Sequence, residues 1–179
     1  MIFATVGTQL PFDRLLTALD DWAARNASMP VLAQTGTRAA TFPSLKTFPK
    51  ADQKTFSDTL NKARVVVAHA GMGTILSASE AGKRLILMPR RAEFGEHRND
   101  HQLATAEEMS VLSNVTVVHD AQALWDSLDA VLAEDTDLTP APNISAVAQP
   151  RLIRTIQDFI WTPSSQPAVW GMESQGIRP

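Results

Sequence analysis

His69-Ala70-Gly71-Met72-Gly73-Thr74 sets a histidine, two glycines and a threonine in one short turn, directly after the apolar run Val65-Val66-Val67. Gly71 and Gly73 let a backbone approach an anion closely, and Thr74 can cap the helix that the following pattern predicts. Free N–H groups and the dipole at such a helix start favour a diphosphate. The turn is neither a dinucleotide fingerprint, since Leu76 stands where the third glycine would fall, nor a P-loop. A tight turn with no ligand needs the same glycines, so this motif alone leaves both readings open.

Three other segments carry polar chemistry. Gly7-Thr8-Gln9 offers more N–H donors and a hydroxyl, and Asp13-Arg14 follows one helical turn later, as a solvated pair or as part of the same site. Arg90-Arg91, after Pro89, is either a surface pair or a complement to a phosphate or a carboxylated sugar. The loop Glu93 to Gln102 holds His97, Asn99, His101 and three carboxylates, Glu96 and Asp100 among them. His97 and His101 would share a helix face, which fits a metal site as well as hydroxyl and phosphate recognition. Glu96 and Asp100 are a candidate acid/base pair. His119 and the charges from Ala121 onward fit a solvated helix face.

These residues need a scaffold, and the apolar pattern supplies one. Ile2–Val6, Val31–Gln34, Arg64–His69, Leu85–Met88 and Val115–Val118 are expected strands, with Phe48 on a further short one. Helices are expected over Pro11–Arg25, Asp52–Ala63, Thr74–Ala81 (stopped by Gly82), Asn99–Met109 and Ala121–Ala133. Alternation of this kind predicts an α/β domain with a mostly parallel sheet and helices on both faces. Gly7, Gly36, Gly71, Gly73 and Gly95 all follow expected strands, at the carboxyl edge where open α/β sheets bind ligands. Pro140 and Pro142 mark a linker, and Leu152, Ile153, Ile156, Phe159 and Ile160 form the apolar face of a last helix. One domain over residues 1–161 is expected, then a mobile tail over 162–179, with Trp161 and Trp170 at its ends as packing or docking aromatics.

Composition narrows the class. A 179-residue chain that is 44% apolar and 20% charged suits one soluble globular domain. A net charge of −3 argues against a nucleic-acid partner. The absence of cysteine excludes disulfides and thiolate metal sites. Met1–Val6 lacks a basic leader and no run is long enough to span a bilayer, so a cytoplasmic protein with at most partner-mediated membrane association is expected.

Taken together, Val6-Gly7-Thr8 with Pro11-Phe12-Asp13-Arg14-Leu15-Leu16, the His69–Thr74 turn, Gly82-Lys83 with Ile86 and Pro89-Arg90, and Gly95-Glu96-His97 with Asn99–Gln102 resemble a known family. The chain resembles the family 28 glycosyltransferase C-terminal domain over about Met1 to Ala133. More narrowly, it is similar to the small donor-binding subunits of two-component glycosyltransferases. These include the dolichol-pathway N-acetylglucosaminyltransferase subunit and bacterial exopolysaccharide enzymes, and they are related to the C-terminal half of MurG. The resemblance implies the Rossmann-like, UDP-sugar-holding half of a GT-B enzyme. A membrane-anchored, acceptor-binding partner subunit would present a lipid-linked saccharide.

Carried over by motif, Gly7 and Thr8 face the diphosphate, and Gly71, Gly73 and Thr74 form the helix-start cradle. Gln102 meets the donor sugar, with His97, Asn99 and His101 in the same loop. His69 aids the leaving group or braces the turn. The family's ribose-holding glutamate is replaced by Ser77, with Glu80 a turn later as its substitute, which favours the bacterial branch. The likeness to bacterial relatives favours UDP-glucuronate, whose carboxylate Arg90 or Arg91 would pair with, over UDP-N-acetylglucosamine and UDP-glucose. The implied reaction is inverting transfer with no metal or other cofactor, its general base supplied by the acceptor side. A non-catalytic UDP-sugar-binding regulator, and a hydrolase using Glu96 and Asp100, are the competing readings.

Overall fold

A computed structural model of the chain describes residues 1–36 and 41–134. The expected linker at Pro140 and Pro142, the helix through Ile160, the tail and both of its tryptophans lie outside the described residues.

Six strands form one parallel sheet: β1 (Ile2–Thr5), β2 (Val31–Gln34), β3 (Lys46–Phe48), β4 (Val65–Ala68), β5 (Arg84–Leu87) and β6 (Val115–Val117), in spatial order β3-β2-β1-β4-β5-β6. Every residue of β1 and β4 is buried, as a strand covered on both faces requires. The edge strand β3 leaves Lys46 and Thr47 exposed, a charge that discourages further pairing.

Helices α1 (Asp13–Arg25) and α5 (Ala121–Ala133) cover one face. Leu15, Leu19, Trp22, Leu124 and Leu128 pack there on Ile2, Ala4, Val65, Val67 and Ile86. The pair is cross-bonded by Trp22 Nε1 to Asp129 Oδ1 at 2.8 Å and Trp125 Nε1 to the Ala18 carbonyl at 2.7 Å. On the other face, Leu60 of α2 (Gln53–Lys62) and Ile75 and Ala78 of α3 (Met72–Glu80) meet Phe3, Val66, Ala68, Leu85 and Leu87. Alternate strand residues therefore feed two cores, which makes the fold a doubly wound, Rossmann-like α/β domain.

The largest differences from expectation fall at helix starts, and α1 begins at Asp13, two residues after Pro11. α3 begins at Met72, two residues before Thr74, and α4 runs His101–Met109, with a short 3-10 turn at Ala92–Phe94 ahead of it. The delay of α4 has a local cause: Asp100 Oδ1 accepts the Ala92 N–H at 2.8 Å and Asn99 Oδ1 bonds the His101 ring, so both side chains compete with helical pairing. No helix among the described residues is long and apolar enough to cross a membrane.

The strand order reverses between β1 and β4. Thr5 pairs in register with both Gln34 and Ala68, and Ala68 with Leu87, so the carboxyl ends of the central strands are level. The loops that carry Gly7, His69 and Arg90 leave the sheet side by side.

Candidate functional site

A cleft of about 500 Å³ opens over that reversal point, as open α/β sheets favour. Gly7, Thr8, His69, Gly71, Gly73, Thr74, Ser77, Arg90, His97, His101 and Gln102 all line it. Two expected residues do not. Glu80 lines a neighbouring recess of about 240 Å³ between α2 and α3, which shares Gln53, Phe56 and Ser77 with the cleft. Asn99 is exposed beside the cleft, with its oxygen on the His101 ring.

His69 sits at the centre, wedged between two glycine turns. A Cβ on Gly7 would lie 2.8 Å from its Cε1, and one on Gly71 would overlap Nε2. Gly7 has the further constraint of φ +77°, whereas Gly71 has an extended backbone that any residue can adopt. Both glycines therefore make room for the imidazole as well as for any anion. Burial pushes the His69 pKa down to about 4, reinforced by the nearby Arg90 charge, so the ring is neutral at physiological pH.

The expected cap of α3 by Thr74 is not what forms. Gly71 is the N-cap residue and makes no side-chain cap, while Thr74 is buried in the first turn with its own N–H on the Gly71 carbonyl at 3.1 Å. Because no side chain satisfies the helix start, the Met72 and Gly73 N–H groups have no partner among the described residues. Gly73 is open, with nothing within 4 Å of an added Cβ. Gly73 lines the cleft, so an orphan donor and the positive end of the dipole meet there, an arrangement suited to an anion. Ser77 turns its hydroxyl back to the Gly73 carbonyl at 2.9 Å.

Arg90 is the largest departure from expectation. It is neither a surface residue nor a free guanidinium for a sugar carboxylate, being only 2% exposed. Its Nη groups donate to the carbonyls of Val6 (2.7 Å), Leu10 (2.7 Å), Pro11 and Glu96 (3.4 Å), and the Phe12 ring lies 4.6 Å from the guanidinium carbon. Burial pulls its pKa down to about 10, with Glu96 opposing, so it remains charged at neutral pH. Its backbone N–H donates to Gln102 Oε1 at 3.1 Å, which orients that buried amide.

Glu96 and Asp100 are likewise spoken for. Arg14 holds Glu96 in a bidentate pair at 2.8 and 2.9 Å, and Arg14 also reaches the carbonyls of His119 and Pro89. Glu96 further accepts the Arg91 N–H at 2.9 Å, while Arg91 Nη1 pairs with Glu93 at 2.7 Å. With Asp100 tied to Ala92, the two carboxylates brace one loop and do not form an acid/base pair. Asp13-Arg14 is accordingly no simple surface pair, because Arg14 spans to a loop 82 residues away in sequence.

His97 and His101 do meet, ring centroids 4.4 Å apart at 73°, although only His101 is helical. No group of three or more His, Asp or Glu side chains among the described residues could hold a metal ion.

The structure adds residues that motif reading missed. Buried Thr5 donates to buried Gln34 at 2.8 Å and accepts the Gly7 N–H at 3.2 Å, fixing the start of the glycine turn. Their signal was available, because each is a polar residue ending an apolar strand. Asp52, Gln53 and Phe56 of the α2 start close the opposite wall, and nothing in their local sequence distinguishes them from an ordinary helix start.

Comparison with known proteins agrees with this geometry. Among solved structures, the kitacinnamycin glycosyltransferase superposes with a TM-score of 0.59 at 17% identity, over 74% of this chain and 35% of its own. MurG of Acinetobacter baumannii gives 0.54 at 17%, over 73% and 40%. The solution structure of ALG13 gives 0.55 at 17%, over 86% of this chain and 93% of ALG13. The chain thus spans less than half of the first two and nearly all of the third. At these identities the likeness shows a shared fold, the Rossmann-like half of a GT-B architecture. No curated protein sequence matches the chain. The model of the "Glycosyltransferase family 28 C-terminal domain" matches residues 1–155, most of the chain, which therefore belongs to that family.

Proposed function

We propose that this chain is the donor-binding catalytic subunit of an inverting, metal-independent glycosyltransferase. It takes a sugar from a UDP-sugar and passes it to a polyprenyl-diphosphate-linked saccharide during polysaccharide assembly. The observation that carries the reading is the unpartnered N–H of Gly73 in the first turn of α3, in a cleft at the sheet's reversal point that Gly7 and Thr8 also line. As UDP departs, charge grows on its terminal phosphate, and preorganised donors with a helix dipole stabilise it there. Thr8 is exposed on the opposite turn, where its hydroxyl can add a further donor.

The acceptor side belongs to a separate subunit in this reading. Neither Glu96 nor Asp100 is placed to act as general base, since Arg14 and the Ala92 N–H occupy them. That partner would carry the membrane anchor and hold this chain at the cytoplasmic face. UDP-glucuronate leads the donors on the resemblance to bacterial two-component enzymes, with UDP-N-acetylglucosamine and UDP-glucose next. Arg90 no longer supports that ranking, because its donors are occupied by backbone carbonyls.

Calorimetric titration with UDP and the three UDP-sugars in a chelator tests donor binding and ranks the sugars. Transfer to lipid-linked saccharide on adding a co-expressed partner identifies an enzyme. A change in affinity without transfer identifies a regulatory module instead, and free sugar released by the isolated chain identifies a hydrolase.

A further inference from the structure

We propose that Arg90 is a positioning residue that sets the diphosphate-facing turn and the glutamine wall of the cleft as one unit. This rests on the reading above that the cleft takes a UDP-sugar.

The β1–α1 connection has few fixings of its own. Thr8, Gln9 and Leu10 are exposed, and their backbone N–H groups bond nothing among the described residues. Its start is tied by the Thr5 hydroxyl to the Gly7 N–H, and the rest is gathered by one planar fork. Arg90 Nη2 bonds the carbonyl before the glycine turn (Val6) and one beyond it (Leu10), while Nη1 bonds Pro11 and Glu96. The carbonyls are pulled inward on the Arg90 side, so the Gly7–Thr8 peptide is held at a fixed height over the cleft.

The same residue governs the other wall. Its backbone N–H holds Gln102 Oε1, and Pro89 before it restricts the backbone from which both bonds are made. Behind it, Glu96 is locked by Arg14 and by the Arg91 N–H, so the fork's far anchor cannot drift. Lysine cannot replace this device: an ammonium concentrates its donors at one point, whereas the guanidinium spreads them across a plane. It would keep the charge, which separates geometry from electrostatics.

The test is Arg90→Lys, titrated calorimetrically with UDP and with UMP alongside the natural chain. Misplacing the Gly7–Thr8 turn should lower UDP affinity about ten- to hundredfold, in keeping with the loss of charge-assisted bonds that order a site, and leave UMP affinity within about threefold. The preference for diphosphate over monophosphate would then collapse. Equal losses for both nucleotides would mark Arg90 as a general structural residue and overturn the proposal, as would no loss for either.

Should Arg90→Lys fail to fold, Glu96→Gln, which loosens the anchor and keeps Arg90, is read by the same ratio, with a smaller collapse expected. If the natural chain binds no UDP, the donor reading fails, and hydrogen exchange without ligand decides the positioning claim. Faster exchange in the variant confined to the amides of Gly7 and of position 90, which are bonded to Thr5 and Gln102, supports it. Faster exchange spread evenly over the sheet contradicts it.

Discussion

The two long walls of the cleft are built differently. On one side, the loops after β1 and β5 are cross-bonded by Arg14, Arg90, Glu96 and Gln102, with the two most buried of these, Arg90 and Gln102, only 2% and 5% exposed. On the other, α2 buries only Leu60 and lines the cleft with Gln53 and the half-buried Phe56. The first wall is ordered before a ligand arrives, so its binding energy is not consumed in fixing loops. The second is held by one apolar contact face and the Phe3–Phe56 edge-to-face pair at 5.5 Å, which leaves it adaptable. Between them, His69 and its two glycines define the floor.

The largest expected effect is at that floor. Gly71→Ala should destabilise the chain by about 1–3 kcal/mol through overpacking against the imidazole and abolish measurable UDP binding. In a His69→Ala background the same change should be nearly neutral for stability, because the clash is gone and the Gly71 backbone accepts a side chain. Gly7→Ala should retain a penalty of about 1 kcal/mol in that background, since its positive φ persists. Urea unfolding of the two double-mutant cycles measures this contrast.

Next comes the braced wall. Arg14→Ala strands the mostly buried Glu96 carboxylate and should lower stability by about 1.5–3 kcal/mol in urea unfolding, the range for hydrogen bonds to charged groups. A loss within about 0.5 kcal/mol would reduce the network to an exposed ion pair.

A pH effect of similar or smaller size follows from His69. Its folded pKa, near 4, lies below the ordinary value of 6.5, so between those limits the unfolded chain binds more protons. Stability should therefore fall as pH drops from about 6.5 to about 4, by at most about 3 kcal/mol, and this component should then level off. His69→Asn should flatten that part of the pH–stability curve. The smallest stability effect belongs to the open wall: Gln53→Ala should change unfolding free energy by less than about 0.5 kcal/mol while weakening UDP binding measurably. A large loss of stability there would erase the proposed difference between the walls.

Much of the fold was legible because the apolar runs are short, β-branched and punctuated by glycine. Val65–Ala68 and Ile2–Thr5 announce strands buried on both faces, and Gly82, at φ +62°, stops α3 as its position suggested. The glycine turns also pointed to the right edge of the sheet. Long-range pairing was not legible. Nothing around Arg14 indicates Glu96 as its partner, and nothing around Arg90 shows that its guanidinium turns into the protein. The acid/base and uronate-pairing roles follow naturally from charge in a polar loop, but Arg14 and the Ala92 N–H occupy Glu96 and Asp100, and burial takes Arg90 out of the second role. A hydroxyl beside a helix start usually caps it, which makes Thr74 the expected cap, yet Gly71 occupies the cap position and leaves the donors open.

In the proposed function, an anion sits between the Gly7–Thr8 turn and the Met72–Gly73 helix start. Amide chemical-shift mapping of the isotope-labelled chain, titrated with UDP in the presence of a chelator, tests it most directly. Saturable shifts are expected at Thr8, Gln9, Met72 and Gly73, with the Gln102 side-chain amide moving in concert. Shifts confined to the exposed Arg14–Phe94 surface, or none at these amides while UDP binds, would contradict it.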